Sequence, residues 1–158
     1  MKVVINTSPI ISLVKIGIFD LCLPIFEDII ITEAVKDELI EGKDKATEWI
    51  ESKGKKYIRT VTEINNIIST WDLGKGESEV LSFAKHNNDY IAGIDDKAAR
   101  NCAEAISIPV IGTIGILLHA KKSGIVSAIK PKIIELKEEG FRIDNNIIQY
   151  ALLLANEN

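Results

Sequence analysis

The N-terminal segment constrains the fold more than any other part of the chain. An apolar run, Val3–Ile5, ends at Asn6, and an apolar segment that opens with Ser8-Pro9 follows almost at once. An uninterrupted apolar run is typical of a strand buried on both faces, as in a parallel sheet. Ser8 before Pro9 predicts a helix start, with Ser8 as the N-cap and Pro9 in the first position. Strand, tight corner and helix open an α/β unit, whose sites lie at the carboxyl ends of its strands.

The rest of the chain continues this alternation. Further β-type runs, each separated from the next by segments with helical spacing, are Asp28–Ile31, Tyr57–Val61, Tyr90–Ile94 and Ile108–Ile111. Strands that alternate with helices predict a three-layer α/β/α sandwich with a central parallel sheet. From about residue 120 to 158 the pattern changes to two helices, Ile125–Gly140 and Asp144–Ala155. We therefore expect one domain, residues 1–158, that ends in a helical extension.

Composition limits the class of protein. The 158 residues are 46% hydrophobic and 27% charged, which is typical of a globular chain and excludes a disordered one. The formal net charge of −4 argues against a protein held on nucleic acid by bulk charge alone, although a local basic rim is compatible with it. Candidates for such a rim are Lys75, Lys97, Arg100, Lys121 and Lys122.

The cysteines and the apolar N-terminal region bear on the compartment. Cys22 and Cys102 stand alone, without a CxxC motif, which predicts two buried thiols in a cytoplasmic protein. The apolar stretch Pro9–Phe26 is interrupted by Lys15 and Asp20. We therefore expect no membrane span and a cytoplasmic location.

Acidic or acid-like side chains occur at four places that a parallel sheet could bring together. They are Glu38 (beside Asp37) in the helix after the second strand, Glu77 after a glycine-rich loop, and Asp95 with Asp96 at the end of the Tyr90–Ile94 strand; the fourth corner carries an amide, Asn6. Clustered carboxylates repel one another, so a fold keeps them together only with a compensating charge, often a hard divalent cation. Mg²⁺ or Mn²⁺ held in this way lowers the pKa of a water molecule and neutralises a phosphodiester. The pattern predicts a metal-dependent nuclease with Glu38, Glu77, Asp95 and Asp96 as metal ligands.

Each of these acids also has a purely structural interpretation. Glu38 fits a solvated helix face, Glu77 fits a helix N-terminus, and Asp96 fits an N-cap. Adjacent side chains of an extended strand point in opposite directions, so only one of Asp95 and Asp96 is expected to face the cleft.

Candidate substrate-binding residues flank the acids. Arg100 stands four residues after Asp96 and could pair with it or contact a phosphate. Lys97 opens the same helix. Ser8 and Thr113 place hydroxyl groups at strand-to-helix corners, where they could orient a ligand or simply cap a helix.

Taken together, these segments resemble the PIN-domain superfamily, the fold of VapC-type toxin ribonucleases. The resemblance is greatest to a poorly characterised prokaryotic branch described only as nucleic-acid-binding. Its matching segments are Val4–Ile11, Ala34–Leu39, Gly74–Leu81, Ile94–Arg100, Gly112–Leu117 and the tail through Gly140-Phe141-Arg142-Ile143. No single motif is specific, but their order and spacing cover nearly the whole chain.

The resemblance implies an acidic pocket that binds Mg²⁺ or Mn²⁺ and cleaves single-stranded RNA. Glu38, Glu77 and either Asp95 or Asp96 match acidic positions of the family pocket, and Ser8 matches its polar support. Homodimers are common in the family, and its toxin members are neutralised by a small antitoxin protein. The apolar tail helix around Ile147–Leu154 must likewise be buried in the domain or against another subunit.

Asn6 departs from the family pattern, which usually has an aspartate there as the central metal ligand. An amide oxygen can bind a hard cation but brings no charge, so we expect weak metal binding. Asn6 is therefore counted with the catalytic residues of a weakened endoribonuclease. The alternatives are a catalytically inactive module that binds nucleic acid or protein, and a pocket shifted onto other acids.

Overall fold

The N-terminal strand lies at the centre of the sheet in the computed structural model, which describes all 158 residues. The five strands are β1 (Lys2–Ile5), β2 (Asp28–Thr32), β3 (Ile58–Arg59), β4 (Tyr90–Gly93) and β5 (Val110–Ile111). All are parallel, in the order β3-β2-β1-β4-β5. Because β1 has a neighbour on each edge and helices on both faces, Val3 and Val4 are fully buried.

Ten α-helices surround this sheet and make it the middle of three layers. They are α1 (Thr7–Lys15), α2 (Phe19–Cys22), α3 (Glu33–Glu41), α4 (Lys45–Trp49), α5 (Asn66–Ser69), α6 (Lys75–His86), α7 (Lys97–Ala105), α8 (Thr113–Lys122), α9 (Lys130–Glu138) and α10 (Asn145–Leu154). Short helical turns of other types are Leu23–Ile25, Ile50–Gly54 and Lys55–Tyr57. The predicted α/β/α sandwich with a parallel sheet is confirmed.

The strand order creates one crevice at the carboxyl edge of the sheet. The chain builds β2 and β3 on one side of β1 and then returns to add β4 and β5 on the other. In open α/β sheets such a reversal of direction separates the loops that follow the two central strands, and ligands bind there. The Asn6 amide N–H donates to the Gly93 carbonyl at 2.8 Å, so the residues after β1 and β4 meet at this edge.

Two predicted helix starts are wrong. Asn6, not Ser8, occupies the N-cap position of α1, because the chain turns immediately after β1. Pro9 then falls in the third helical position, where its missing N–H is still one of the four without an intrahelical partner. The helix predicted to begin at Ile125 begins only at Lys130, where Pro131 lies in the first turn and costs no hydrogen bond.

Near the C-terminus, Glu157 contacts the end of α8 and the start of α9. The Glu157 carboxylate accepts from the amides of Ile129 and Lys130 at 2.9 and 3.0 Å and from the Lys121 ammonium at 2.9 Å. Burial raises the pKa of Glu157, but the Ile129 amide, Lys121 and the Lys130 amide together lower it to about 2. The carboxylate therefore stays ionised well below neutral pH, and Lys121 belongs to this contact and not to a free basic rim.

The helical extension shares the core of the sheet. Side chains of α9 and α10, such as Leu136 and Ile148, belong to the same buried cluster as β1. Membrane-spanning length and hydropathy are reached by no helix taken alone; α1 and the segment Phe19–Ile25 reach them together, with a bend of 116° between them.

Candidate functional site

Asn6 is a buried acceptor without a partner at the crevice. The residue is 4% exposed, and its Oδ1 atom forms no hydrogen bond. Although Asn6 holds the N-cap position, its side chain caps no amide of α1. A buried polar atom without a partner costs about 1–3 kcal/mol. A group of this kind in a native structure indicates a strained or ligand-binding position.

Glu38 reaches the same place from α3. The Thr7 hydroxyl, in the first turn of α1, donates a short hydrogen bond to Glu38 Oε2, which leaves Oε1 free of hydrogen bonds within the protein. The neighbouring Asp37 is exposed and lies 3.3 Å from the Lys36 ammonium. The helical rotation between adjacent residues thus directs Glu38 inward and Asp37 to solvent.

Gly76, in the first turn of α6, leaves the space in which these oxygens converge. A Cβ atom on Gly76 would lie 2.6 and 3.0 Å from the two Glu38 carboxylate oxygens and 3.1 Å from Asn6 Oδ1. One oxygen atom of Asn6, which follows β1, and two of Glu38 on α3 therefore surround one small volume, which any other side chain at position 76 would fill. We call this volume the Gly76 cradle.

Asp95 is held a short distance along the same edge by two helix starts. Its Oδ1 atom accepts from the Thr113 amide at 2.7 Å, and its Oδ2 atom accepts from the Thr113 hydroxyl at 2.6 Å and from the Ser8 hydroxyl at 3.1 Å. Ser8 thus supports Asp95 and does not cap α1. Thr7 and Ser8, adjacent in sequence, fix Glu38 and Asp95 respectively, and both acids lie near the partially positive start of α1.

Asp96 and Glu77 make local contacts. Asp96 is exposed and accepts from the Ala99 amide at 2.9 Å as the N-cap of α7. The adjacent acids are therefore divided: Asp95 turns to the crevice and Asp96 to the helix. The Glu77 carboxylate folds back over Gly74, where a Cβ atom would lie 2.5 Å from Glu77 Oε2.

The two cationic residues predicted to bind substrate differ in their surroundings. Arg100 donates from Nη1 to the Ile94 carbonyl at 2.9 Å and forms no ion pair with Asp96. A Cβ atom on Gly112 would lie 3.0 Å from both Arg100 Nη1 and Asp95 Oδ1, so this guanidinium borders the crevice. Lys97 is exposed and has no partner.

The structure brings the predicted residues to one edge but not into one ligand sphere. No group of three or more His, Cys, Asp or Glu side chains is arranged to hold a metal ion. The arrangement that fits a cation is the Gly76 cradle, where an orphaned amide oxygen and a carboxylate converge. Hard divalent cations take such oxygen ligands and complete their coordination with several waters.

Sequence reasoning missed Glu79. This residue is 5% exposed, and its Oε1 atom accepts from the Ala34 amide at 3.1 Å, at the N-terminus of α3. The contact joins α6 to the helix that carries Glu38 and so supports the cradle. The one signal in the sequence is helical spacing, which places Glu79 on the same buried face of α6 as Ser82.

A known protein family matches nearly the whole chain. The family model DUF3368, described as a PIN domain, matches residues 2–157. No curated protein and no solved structure matches the chain significantly. The family match includes β1 through β5 and both helices of the extension, so it covers every residue of the crevice described above.

Proposed function

The chain belongs to the PIN-domain family, and from this premise we propose that it is a VapC-like endoribonuclease that uses Mg²⁺ or Mn²⁺ to cut single-stranded RNA. The observation that carries the proposal is the Gly76 cradle, where the unpartnered Asn6 Oδ1 and the Glu38 carboxylate meet at the crevice. A nuclease fold with hard oxygen ligands at this point has the elements that phosphodiester hydrolysis requires.

In this proposal the residues of the crevice have different roles. Asn6 Oδ1 and Glu38 would hold the cation, which when bound neutralises phosphate charge and lowers the pKa of a water molecule. Glu38 Oε1 is the oxygen able to accept a proton from the attacking water, because Oε2 is occupied by Thr7. Asp95, fixed by three hydrogen bonds, supplies a rigid negative charge, and the start of α1 stabilises charge that develops on the phosphate.

The amide at Asn6 weakens this site. An aspartate there would place two carboxylates at the cradle, whereas asparagine leaves one. Since affinity for hard cations rises with the number of charged ligands, we expect the native chain to bind metal weakly and to cleave slowly.

Cleavage of a panel of single-stranded RNAs in Mn²⁺ tests the function. We expect Glu38→Gln to reduce the rate by about 100-fold or more, because it removes the only charged ligand of the cradle and the carboxylate able to accept a proton. Asp37→Asn is the matched control, since it removes the same charge from the exposed neighbour, and it should leave the rate unchanged. Equal cleavage by both variants would identify a contaminating nuclease.

The second candidate function is a catalytically inactive PIN module that binds nucleic acid or a protein. It is favoured by the chemistry of the amide itself: rotated about its terminal bond, Asn6 presents an N–H donor to the acidic cradle and satisfies it without a cation, which an aspartate cannot do. The absence of a three-acid cluster points the same way. No cleavage of any RNA by the native chain or by its variants would favour this candidate.

We also propose that the chain forms a homodimer through α10, with a small antitoxin as a further partner. Ile147, Tyr150, Leu153 and Leu154 on this helix are 53–62% exposed, which is unusual for one helix of a monomer. Light scattering should give a mass of twice 17.4 kDa across the micromolar range. A mass of 17.4 kDa at every concentration would contradict the dimer.

A further inference from the structure

A second concave feature adjoins the crevice, between α1 and the turn that follows α9. Its volume is about 320 Å³. One wall is a single face of α1 with Ser8, Ile11, Ser12 and Lys15, and the other is formed by the end of α9 and the turn Glu139–Arg142. Ser8 lines this groove and also donates to Asp95, so the groove opens directly beside the candidate active site.

The turn after α9 is built to hold its position. Gly140 has a φ of +90°, which favours glycine, and its amide donates to the Lys137 carbonyl at 3.0 Å. The next amide, of Phe141, donates to the Leu136 carbonyl at 2.9 Å. These two bonds form a Schellman motif, which ends the helix and directs Phe141 against the core. Arg142 therefore stands on a fixed turn and not on a mobile tail.

The groove carries cationic side chains without partners in an acidic protein. Neither Lys15 nor Arg142 forms a hydrogen bond or an ion pair, and the seven ion pairs of the chain involve other residues. One acid, Glu139, also lines the groove. The net charge of the groove is therefore +1, whereas that of the whole chain is −4. Two unpaired cations beside a candidate nuclease site indicate an anionic ligand.

The combination of groups fits one nucleotide. A planar guanidinium recognises phosphate oxygens through paired hydrogen bonds, and Lys15 adds a point charge. Phe141 and Ile11 provide an apolar wall for a base. The Ser12 hydroxyl provides a hydrogen-bonding group for the nucleotide. A volume of about 320 Å³ lies at the lower end of pockets that bind small molecules, which is the size range of a single nucleotide.

We infer that this groove binds one nucleotide of single-stranded RNA adjacent to the cleaved bond, with Arg142 and Lys15 on its phosphate. The inference rests on the proposed nuclease function and gives the C-terminal extension a part in it. It makes Arg142 a substrate-binding residue and leaves the chemistry to the Gly76 cradle.

Binding is measured separately from cleavage, by fluorescence anisotropy of a labelled single-stranded oligoribonucleotide in EDTA. We expect Arg142→Gln to raise the Kd about tenfold, because it removes a charge-assisted phosphate contact, and to reduce the slope of log K against log salt by about 1. Lys15→Gln, a second variant on the other wall, should act in the same direction. Lys137→Gln is the matched control, since it removes an exposed cation of α9 outside the groove, and it should change the Kd less than twofold.

The outcomes distinguish this inference from the proposed function. If Arg142→Gln and Lys137→Gln weaken binding equally, or if the native chain does not bind the RNA, the groove is not a nucleotide site. If cleavage depends on Glu38 but binding does not depend on Arg142, the nuclease proposal stands and the inference fails. If binding depends on Arg142 while no variant cleaves RNA, the groove is correct and the nuclease proposal fails.

Discussion

Replacing Asn6 with aspartate is expected to destabilise the protein in EDTA and to restore its stability in Mn²⁺. The new carboxylate would lie at the Gly76 cradle beside Glu38. Position 6 is buried and Glu38 is partly buried, so water screens the two charges poorly. Two oxygens that lie 2.6 and 3.1 Å from the same point are at most about 6 Å apart, so repulsion between the two carboxylates costs about 3 kcal/mol at an effective dielectric constant of about 20. For a chain of this size that corresponds to a melting temperature about 6–12 °C lower.

Bound Mn²⁺ should reverse this loss of stability. With two carboxylates the cradle gains a full charge, so we expect Asn6→Asp to bind Mn²⁺ about tenfold more tightly or better than the native chain. A ligand at about 1,000 times its Kd stabilises the folded state by about 4.1 kcal/mol, which is enough to offset the repulsion. Calorimetric titration measures the affinity, and thermal melts with and without Mn²⁺ measure the linkage.

The control for this substitution is Asn101→Asp, which adds the same charge on the exposed surface of α7. It should melt at nearly the same temperature as the native chain in both EDTA and Mn²⁺. If Asn6→Asp shows no gain in Mn²⁺ affinity over the native chain, the pocket is wrongly assigned. In that event neither Asn6 nor Glu38 contributes to a cation site.

Gly76→Ala is the substitution with the second largest expected effect, and it acts by occupying the cradle. In the first turn of an exposed helix, alanine is normally more stable than glycine by up to about 1 kcal/mol. Here the added methyl group would lie 2.6 Å from Glu38 Oε1 and 3.1 Å from Asn6 Oδ1. Because the nearest atoms belong to the end of a flexible side chain, Glu38 can swing away and the fold should survive.

The methyl group of Gly76→Ala should weaken metal binding at the cradle. We expect Gly76→Ala to reduce Mn²⁺ affinity at least about tenfold and, combined with Asn6→Asp, to remove the gain that aspartate provides. Gly42→Ala is the matched control, since a Cβ atom there makes only ordinary contacts, 3.5 Å or longer. Unchanged Mn²⁺ affinity in the Gly76→Ala variant would show that a cation, if bound at all, sits elsewhere.

Several site residues could be identified from the sequence because their roles are local. An apolar run followed by a polar corner marks the end of a buried strand, so Asn6 and the Asp95-Asp96 pair were found by position alone. The capping interpretation of Asp96 was also local, because an N-cap and the amide three residues later are neighbours in any helix.

Other assignments required the fold. Nothing near Ser8 in the sequence indicates that its hydroxyl serves Asp95, 87 residues away. Likewise, nothing near Lys121 in the sequence indicates that it is not a free rim residue, because its partner, Glu157, lies 36 residues away. Such contacts depend on which strands become neighbours, and that order is decided by packing of the whole core.

By itself the sequence determined the alternation of strands and helices, the parallel sheet and the corners at which acids accumulate, because these follow from short-range periodicity and from the backbone preferences of individual residues. The tertiary structure alone decided that Asn6 Oδ1 is buried without a partner, that Gly76 leaves room beside Glu38, and that Arg142 lines the same groove as Ser8. Each of these facts depends on the relative placement of elements far apart in the chain, and that placement is set by the collective burial of apolar surface.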